Sequence, residues 1–180
     1  MKKWLWKIVK TSLLAIPLLY FGAVIYSQVV IEKKPTTQLA TATRSPQQLS
    51  VDSINIYELW ESTNKYRADK GLQGLNLSPL LNRSATDKCN DMVKNDYWSH
   101  GEPNKLRNGI EKYTQFSGAG ENLAYGYLNA HDVTEGWVNS DRHRVNLEAQ
   151  FDNVGFAVCK SDNYVSNGQQ LIVVQHFTQD

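Results

Sequence analysis

The chain has 180 residues, with 19 lysines and arginines against 18 aspartates and glutamates, a formal charge of +1. That balance excludes the basic footprint of a nucleic-acid-binding domain. Two cysteines, Cys89 and Cys159, are too few for a disulfide scaffold and fit no zinc-ribbon spacing, so a hydrophobic core must carry the fold.

Lys2, Lys3, Lys7 and Lys10 precede an uncharged run, Thr11 to Ile31. At about 1.5 Å per residue the run reaches roughly 30 Å as a helix, the thickness of the hydrocarbon core. Trp4, Trp6, Tyr20 and Tyr26 suit interfacial positions. The lysines put the N-terminus in the cytoplasm and the rest of the chain outside. A cleaved signal peptide is the alternative. Its apolar region spans about 7–15 residues, shorter than this run, and the cleavage-like Ala40-Thr41-Ala42 lies well beyond it, so an uncleaved single-pass anchor is favoured. Residues 1–33 are thus read as a membrane anchor, 34–53, rich in Thr, Ser, Gln and Pro, as a linker, and 54–180 as an extracytoplasmic domain. The alternative for the linker is an arm that packs partly on the domain.

In the domain, Asp52 or Ser53 caps a first helix with Ile56, Leu59, Trp60, Thr63 and Tyr66 at helical spacing, ended by Gly71 and Gly74. Ser78 and Pro79 open a second, whose buried stripe is Leu81, Ala85, Cys89 and Met92. Residues 101–117 read as loop with room for a short helix, and 120–127 as a short strand or turn. Asp132 to Glu135 resembles a capping box opening a helix with Val133, Trp137 and Val138. Residues 153–160 and 170–178 read as strands joined by a turn into an antiparallel hairpin. Helices and strands do not alternate strictly, so the class is α+β.

The residues able to do chemistry are few. His100 follows Tyr97-Trp98-Ser99, and His143 lies between Arg142 and Arg144, in a turn past the Trp137 helix. Two imidazoles in one cleft can hold a divalent metal, Zn²⁺ or Mg²⁺, or move protons. On spacing alone, ordinary surface hydrogen bonding is the better account of both. Glu121, in Gly118-Ala119-Gly120-Glu121-Asn122, can orient an imidazole or cap a turn. His131 reads as a loop residue and His176, alternating with Val174 and Ile172, as structural. Ser140, Asp141 and His143 are too close in sequence for a triad, and Ser140-Asp141 reads better as a helix end.

Gly120-Glu121-Asn122-Leu123-Ala124, Gly136-Trp137-Val138-Asn139-Ser140, His143-Arg144-Val145-Asn146-Leu147, Phe151 and Val154-Gly155 together resemble the CAP superfamily of cysteine-rich secretory, antigen-5 and pathogenesis-related proteins, in its bacterial SCP-like form. Asn64, Arg67, Trp98-Ser99-His100 and Val174-Gln175-His176-Phe177 also match. The resemblance implies an α-β-α sandwich with a central antiparallel sheet. It implies a cleft of two histidines and two glutamates that holds a divalent metal in some members. By position, His100 and His143 are the histidines and Glu121 the first glutamate, with Asn122 and Ser140 supporting the cleft. Ser140 stands where the second glutamate would be. Glu135 is no substitute, being about 140° round the helix from that position. At most one disulfide, Cys89–Cys159, is open to the chain, against two buried thiols as the alternative.

Two functions are therefore expected of the sequence. The first is a membrane-anchored binding module whose cleft accepts a metal, a lipid or a peptide. The second is a metal-dependent hydrolase of envelope peptides, with His100, Glu121 and His143 as catalytic candidates. The missing second carboxylate favours the first.

Overall fold

The computed structural model describes residues 49–102 and 104–180. The expected membrane segment and most of the expected linker lie outside the described residues. Among the described residues no helix is long and apolar enough to cross a membrane. The last linker residues pack on the domain: the Leu49 amide donates to Gln169 Oε1 at 3.0 Å, its side chain joins the core margin, and a 3-10 turn, Val51–Ser53, follows.

Helix α1, Ile56–Asp69, starts later than the pattern of Asp52 and Ser53 suggests, because Asn55 caps it by accepting from the Tyr57 amide. Strand β1 is only Asn76–Leu77. Ser78 accepts from the Leu81 amide and Pro79 occupies the first turn of α2, Pro79–Lys94. Helix α3 is Lys105–Glu111 and strand β2 is Gly118–Tyr125. Helix α4, Ala130–Val138, begins before the expected capping box, since Asn129 accepts from the Asp132 amide and is the true cap. A further helix, α5, Asp141–Glu148, occupies what the sequence reads as a turn. It buries only Leu147 fully, so no apolar stripe announces it. Strands β3, Asn153–Ser161, and β4, Gln170–Gln179, form the expected hairpin.

The sheet order is β1-β3-β4-β2. The β2–β4 and β3–β4 pairs are antiparallel, but β1 runs parallel to β3, so the sheet is mixed rather than wholly antiparallel. Two residues carry too little alternation to reveal such a strand in sequence.

Both faces of the sheet are covered. On one, Leu171, Val173 and Phe177 of β4 pack with Leu59 of α1, Val133 and Trp137 of α4, and Leu147 of α5. On the other, Ile172 and Val174 pack with Ala85, Cys89 and Met92 of α2. A strand buried on both faces reads as a continuous apolar run, and β4 does so from Leu171 to Phe177 except at Gln175 and His176. The arrangement is an α-β-α sandwich.

The seat of α2 is tight. A Cβ on Gly155 of β3 would stand 2.4 Å from the Leu81 carbonyl carbon. The same two elements are joined by a Cys89–Cys159 disulfide, Cα atoms 6.1 Å apart across 70 residues of chain. Gly155→Ala therefore destabilises the domain by about 1–3 kcal/mol through overpacking, read as a lower urea midpoint. Cys89→Ser with Cys159→Ser lowers stability by about 2–4 kcal/mol, and thiol counting on the denatured, unreduced parent returns no free thiol.

Candidate functional site

The site is built on the two polar interruptions of β4. Successive strand residues face opposite sides, so His176 points toward α2 and Gln175 toward α1. His176 is 2% exposed and both its ring nitrogens are bonded: Ser84 Oγ of α2 lies 2.7 Å from Nδ1, and Glu121 Oε2 lies 3.0 Å from Nε2. Glu121 is directly opposite His176 in the β2–β4 register. Its other oxygen, Oε1, lies 2.7 Å from His100 Nδ1. A carboxylate only accepts, so Nε2 of His176 and Nδ1 of His100 donate. Ser84 Oγ bonds the remaining ring nitrogen of His176, and His100 keeps Nε2 unengaged by this chain of bonds. Gly101, in the left-handed region at φ +86°, turns the backbone just after His100.

The Glu121 side chain is 2% exposed and that of His100 is 61% exposed. Burial alone would raise the Glu121 pKa. The hydrogen bonds from His100 and His176, with the charges of His176 and Lys88, outweigh it and hold the carboxyl below its usual range.

Beside this chain lies a groove of about 610 Å³ between α2 and α3. Ser84, Asp87, Lys88 and Asp91 line it from α2, at the spacing of one helix face. The two helices are bridged at both ends. Lys105 Nζ is 2.9 Å from Asp91 Oδ2 and donates to Tyr97 Oη at 3.1 Å; Tyr113 Oη donates to Asp87 Oδ2 at 2.8 Å. The middle stays open, with His100, Glu121 and His176 at the floor.

His143 comes from the other layer, in the first turn of α5, and does not line this groove. Its carbonyl accepts from Asn122 Nδ2 at 3.2 Å. Asn122 also donates to Gln175 Oε1, and its Oδ1 accepts from Asn146 Nδ2, which donates to the Glu121 carbonyl as well. Ser140 supports His143 through its backbone: its carbonyl accepts from the His143 and Arg144 amides at 3.0 and 2.8 Å. Burial, and then the charge of His100, push the His143 pKa down, which keeps the ring neutral. His143 Nδ1 is buried with no hydrogen-bond partner. Among the described residues the Glu121 carboxylate is bonded by His100 and His176, and His143 does not reach it. His131 is exposed on α4, 3.5 Å from Asp132 and 3.9 Å from Glu135, away from the site.

His176, read as structural, is a buried core residue that also holds the second oxygen of the site carboxylate. A histidine beside a glutamine in an otherwise apolar run was the signal for it. Ser84 and Lys88 escape a sequence reading because their partners lie on β4 and on the loop after α2.

Among the described residues no group of three or more His, Cys, Asp or Glu side chains could hold a metal. His100 and His143 are the imidazoles that remain for one. Glu121 is committed to histidines, and Ser140 brings no charge. The orphaned Nδ1 of His143 and the Nε2 of His100, outside the bonds to Glu121, are the nitrogens left over for such an ion. Such donors suit Zn²⁺ better than Mg²⁺, which takes oxygens.

The pattern of a family described as the cysteine-rich secretory protein family, CAP, matches residues 60–177. YkwD, an uncharacterized protein of Bacillus subtilis, is 31% identical over 137 residues, 72% of this chain and 51% of YkwD. YlbC, an uncharacterized membrane protein of the same bacterium, is 31% identical over 105 residues, 56% of this chain and 30% of YlbC. The chain thus spans about half or less of the length of these relatives. An extracellular Bacillus anthracis protein containing a SCP domain has a crystal structure that superposes with a TM-score of 0.57 at 27% identity, over 69% of this chain and 40% of that one.

The buried carboxylate makes stability depend on pH. Its folded pKa lies below the ordinary 4.5, so its contribution is complete above 4.5 and is lost as pH falls through the lower folded value. Glu121→Gln costs about 3 kcal/mol at neutral pH. Urea midpoints of parent and variant converge as the solution is acidified through that window.

Proposed function

Because the chain belongs to the cysteine-rich secretory protein (CAP) family, we propose that its domain is an extracytoplasmic binding module whose ligand sits in the α2–α3 groove. One observation carries this reading: a buried carboxylate clamped by two histidines forms the floor of an open groove of about 610 Å³. That is a rigid polar floor at the end of a cavity in the size range of small-molecule sites. The extracytoplasmic location draws on the extracellular Bacillus anthracis protein and the membrane protein YlbC. It agrees with a lysine-preceded apolar run acting as a single-pass anchor, with a disulfide stable in an oxidising compartment. The ligand class is a lipid or a peptide.

A divalent metal, Zn²⁺ by donor chemistry, is proposed as a second ligand, held beside the groove by His100 and His143. When bound it would supply a Lewis-acid centre and fixed positive charge. Glu121 orients the His100 ring for it, and Asn122 with Asn146 positions α5 and hence His143.

Calorimetric titration of the purified chain with Zn²⁺ at neutral pH tests this part. His100→Ala and His143→Ala each weaken binding at least tenfold, about 1.4 kcal/mol, with the far-ultraviolet dichroism unchanged. Absence of Zn²⁺ heat from the parent ends the metal proposal and leaves the groove. Chelator-sensitive peptide cleavage that vanishes in His143→Ala would replace binding with the hydrolase alternative.

A further inference from the structure

A second cleft, of about 310 Å³, lies where α1, α5 and β4 end, and it shares no lining residue with the α2–α3 groove. Its floor is Arg67, which is 2% exposed. Arg67 ties the two helix ends together. Its Nε donates to the Gln73 carbonyl at 2.7 Å, and its Nη1 donates to the Leu147 and Ala149 carbonyls at 2.7 and 2.9 Å. A guanidinium carries five N–H donors, and these bonds use three. The two on Nη2 have no protein partner among the described residues. There the one buried side-chain atom left without a partner is His143 Nδ1, so Arg67 Nη2 reaches open space, and the space that Arg67 lines is this cleft. No carboxylate among the described residues lies within ion-pair distance of the guanidinium. Burial is what lowers its pKa, with no charged neighbour opposing it.

The walls say what the two free protons can meet. Gln73, Gln150 and Gln179 line the cleft, exposed, and their side-chain amides bond nothing among the described residues. Glu148 uses Oε1 to accept from Tyr66 Oη at 2.6 Å, and Asp152 uses Oδ2 to accept from the Asp180 amide at 2.9 Å, so each keeps its second oxygen. Two carboxylates against one guanidinium disfavour a phosphate or sulfate, and the guanidinium in the floor repels a cation. So many polar groups would be desolvated at a loss by an apolar ligand. A docked peptide strand needs a free sheet edge, and the strand that lines the cleft, β4, is paired on both sides. What fits is an uncharged ligand dense in hydroxyls. A hydroxyl both donates and accepts, so one can meet a carboxylate oxygen and an Nη2 proton together. Phe151 supplies an apolar patch for the C–H face of a ring. The volume is at the lower end of the range for ligand cavities, about 300–1,000 Å³, which suits a single ring.

We propose that this cleft is a saccharide-binding site, in which Arg67 Nη2 donates to the hydroxyls of one neutral sugar unit and Glu148, Asp152 and the three glutamines complete the hydrogen bonds. Three carbonyls hold the Arg67 head still before a ligand arrives, so little order is lost on binding. The site is independent of the groove and of any ligand there.

The experiment titrates the full chain with chitotriose and with maltotriose, both uncharged, and follows the side-chain NMR signals of Gln73, Gln150, Gln179 and Arg67 Nε. N-acetyl-Ala-Ala-amide and inorganic phosphate are the comparison probes. At least one sugar shifts those signals saturably and binds more tightly than either comparison probe. Gln150→Ala with Gln179→Ala, which removes no bond within the described residues, weakens sugar binding about tenfold, the weight of one or two hydrogen bonds. Arg67→Lys weakens it at least as much; where that variant fails to fold, the glutamine pair decides. His100→Ala, in the groove, leaves sugar affinity unchanged. The saccharide site is overturned if neither sugar shifts these signals, if the peptide amide or phosphate binds as well as the sugars, if the glutamine pair leaves affinity intact, or if His100→Ala abolishes it. The reading of the groove stands or falls separately.

Discussion

A buried carboxylate cannot stay ionised without donors, and Glu121 has drawn one from a strand and one from a loop. The two bonds, at 2.7 and 3.0 Å, fix where β4, β2 and the segment after α2 must lie. Ser84 extends the chain by satisfying the far nitrogen of His176, which adds α2. Four elements thus converge on one side chain. In composition the chain Ser84–His176–Glu121 resembles a nucleophile triad, but Ser84 is 2% exposed within a helix, and its role is to fix the imidazole.

Strand β2 couples this cluster to the other layer through the pleat alone. Glu121 faces α2, and its neighbour Asn122 faces α1 and α5. Asn122, Gln175, Thr63 and Asn146 form a buried network there, and Asn122 and Asn146 reach the backbone of His143 and Glu121. Buried networks of this kind fix geometry when every member is satisfied. Here the one unsatisfied buried side-chain atom among the described residues is His143 Nδ1. The defect sits where the network meets the site, which is where a ligand could relieve it.

Legibility in sequence followed the physics of each element. Ser78-Pro79 announced α2 because a cap and a first-turn proline are local signals. The β3–β4 hairpin was readable from two apolar runs around a polar turn. Helix α5 was not, since a single fully buried residue leaves no period, and β1 was not, since two residues have none. For the site, Glu121 and His100 were legible from their motifs, and the structure places their side chains 2.7 Å apart. The bonds of His176 to Ser84 and Glu121 were not legible, because alternation with Val174 and Ile172 describes any core position. Only its partners across the sheet distinguish it, and partners from distant segments are invisible to local pattern. Lys88 was hidden for the same reason.

The pKa directions bear on what such a site does. A general base works best with a pKa near the operating pH. The two histidines hold the Glu121 carboxyl below its usual range, which makes it a poorer proton acceptor at neutral pH. His143 is likewise pushed down by burial and by the charge of His100. Both shifts run against proton abstraction, and Ser140 supplies no second carboxylate to reverse them. The same shifts favour recognition. An ionised Glu121 holds the His100 ring still, and a neutral His143 leaves a nitrogen available. A rigid, partly neutralised floor beneath an open groove costs little to reorganise when a ligand arrives, and that is the property a binding surface needs.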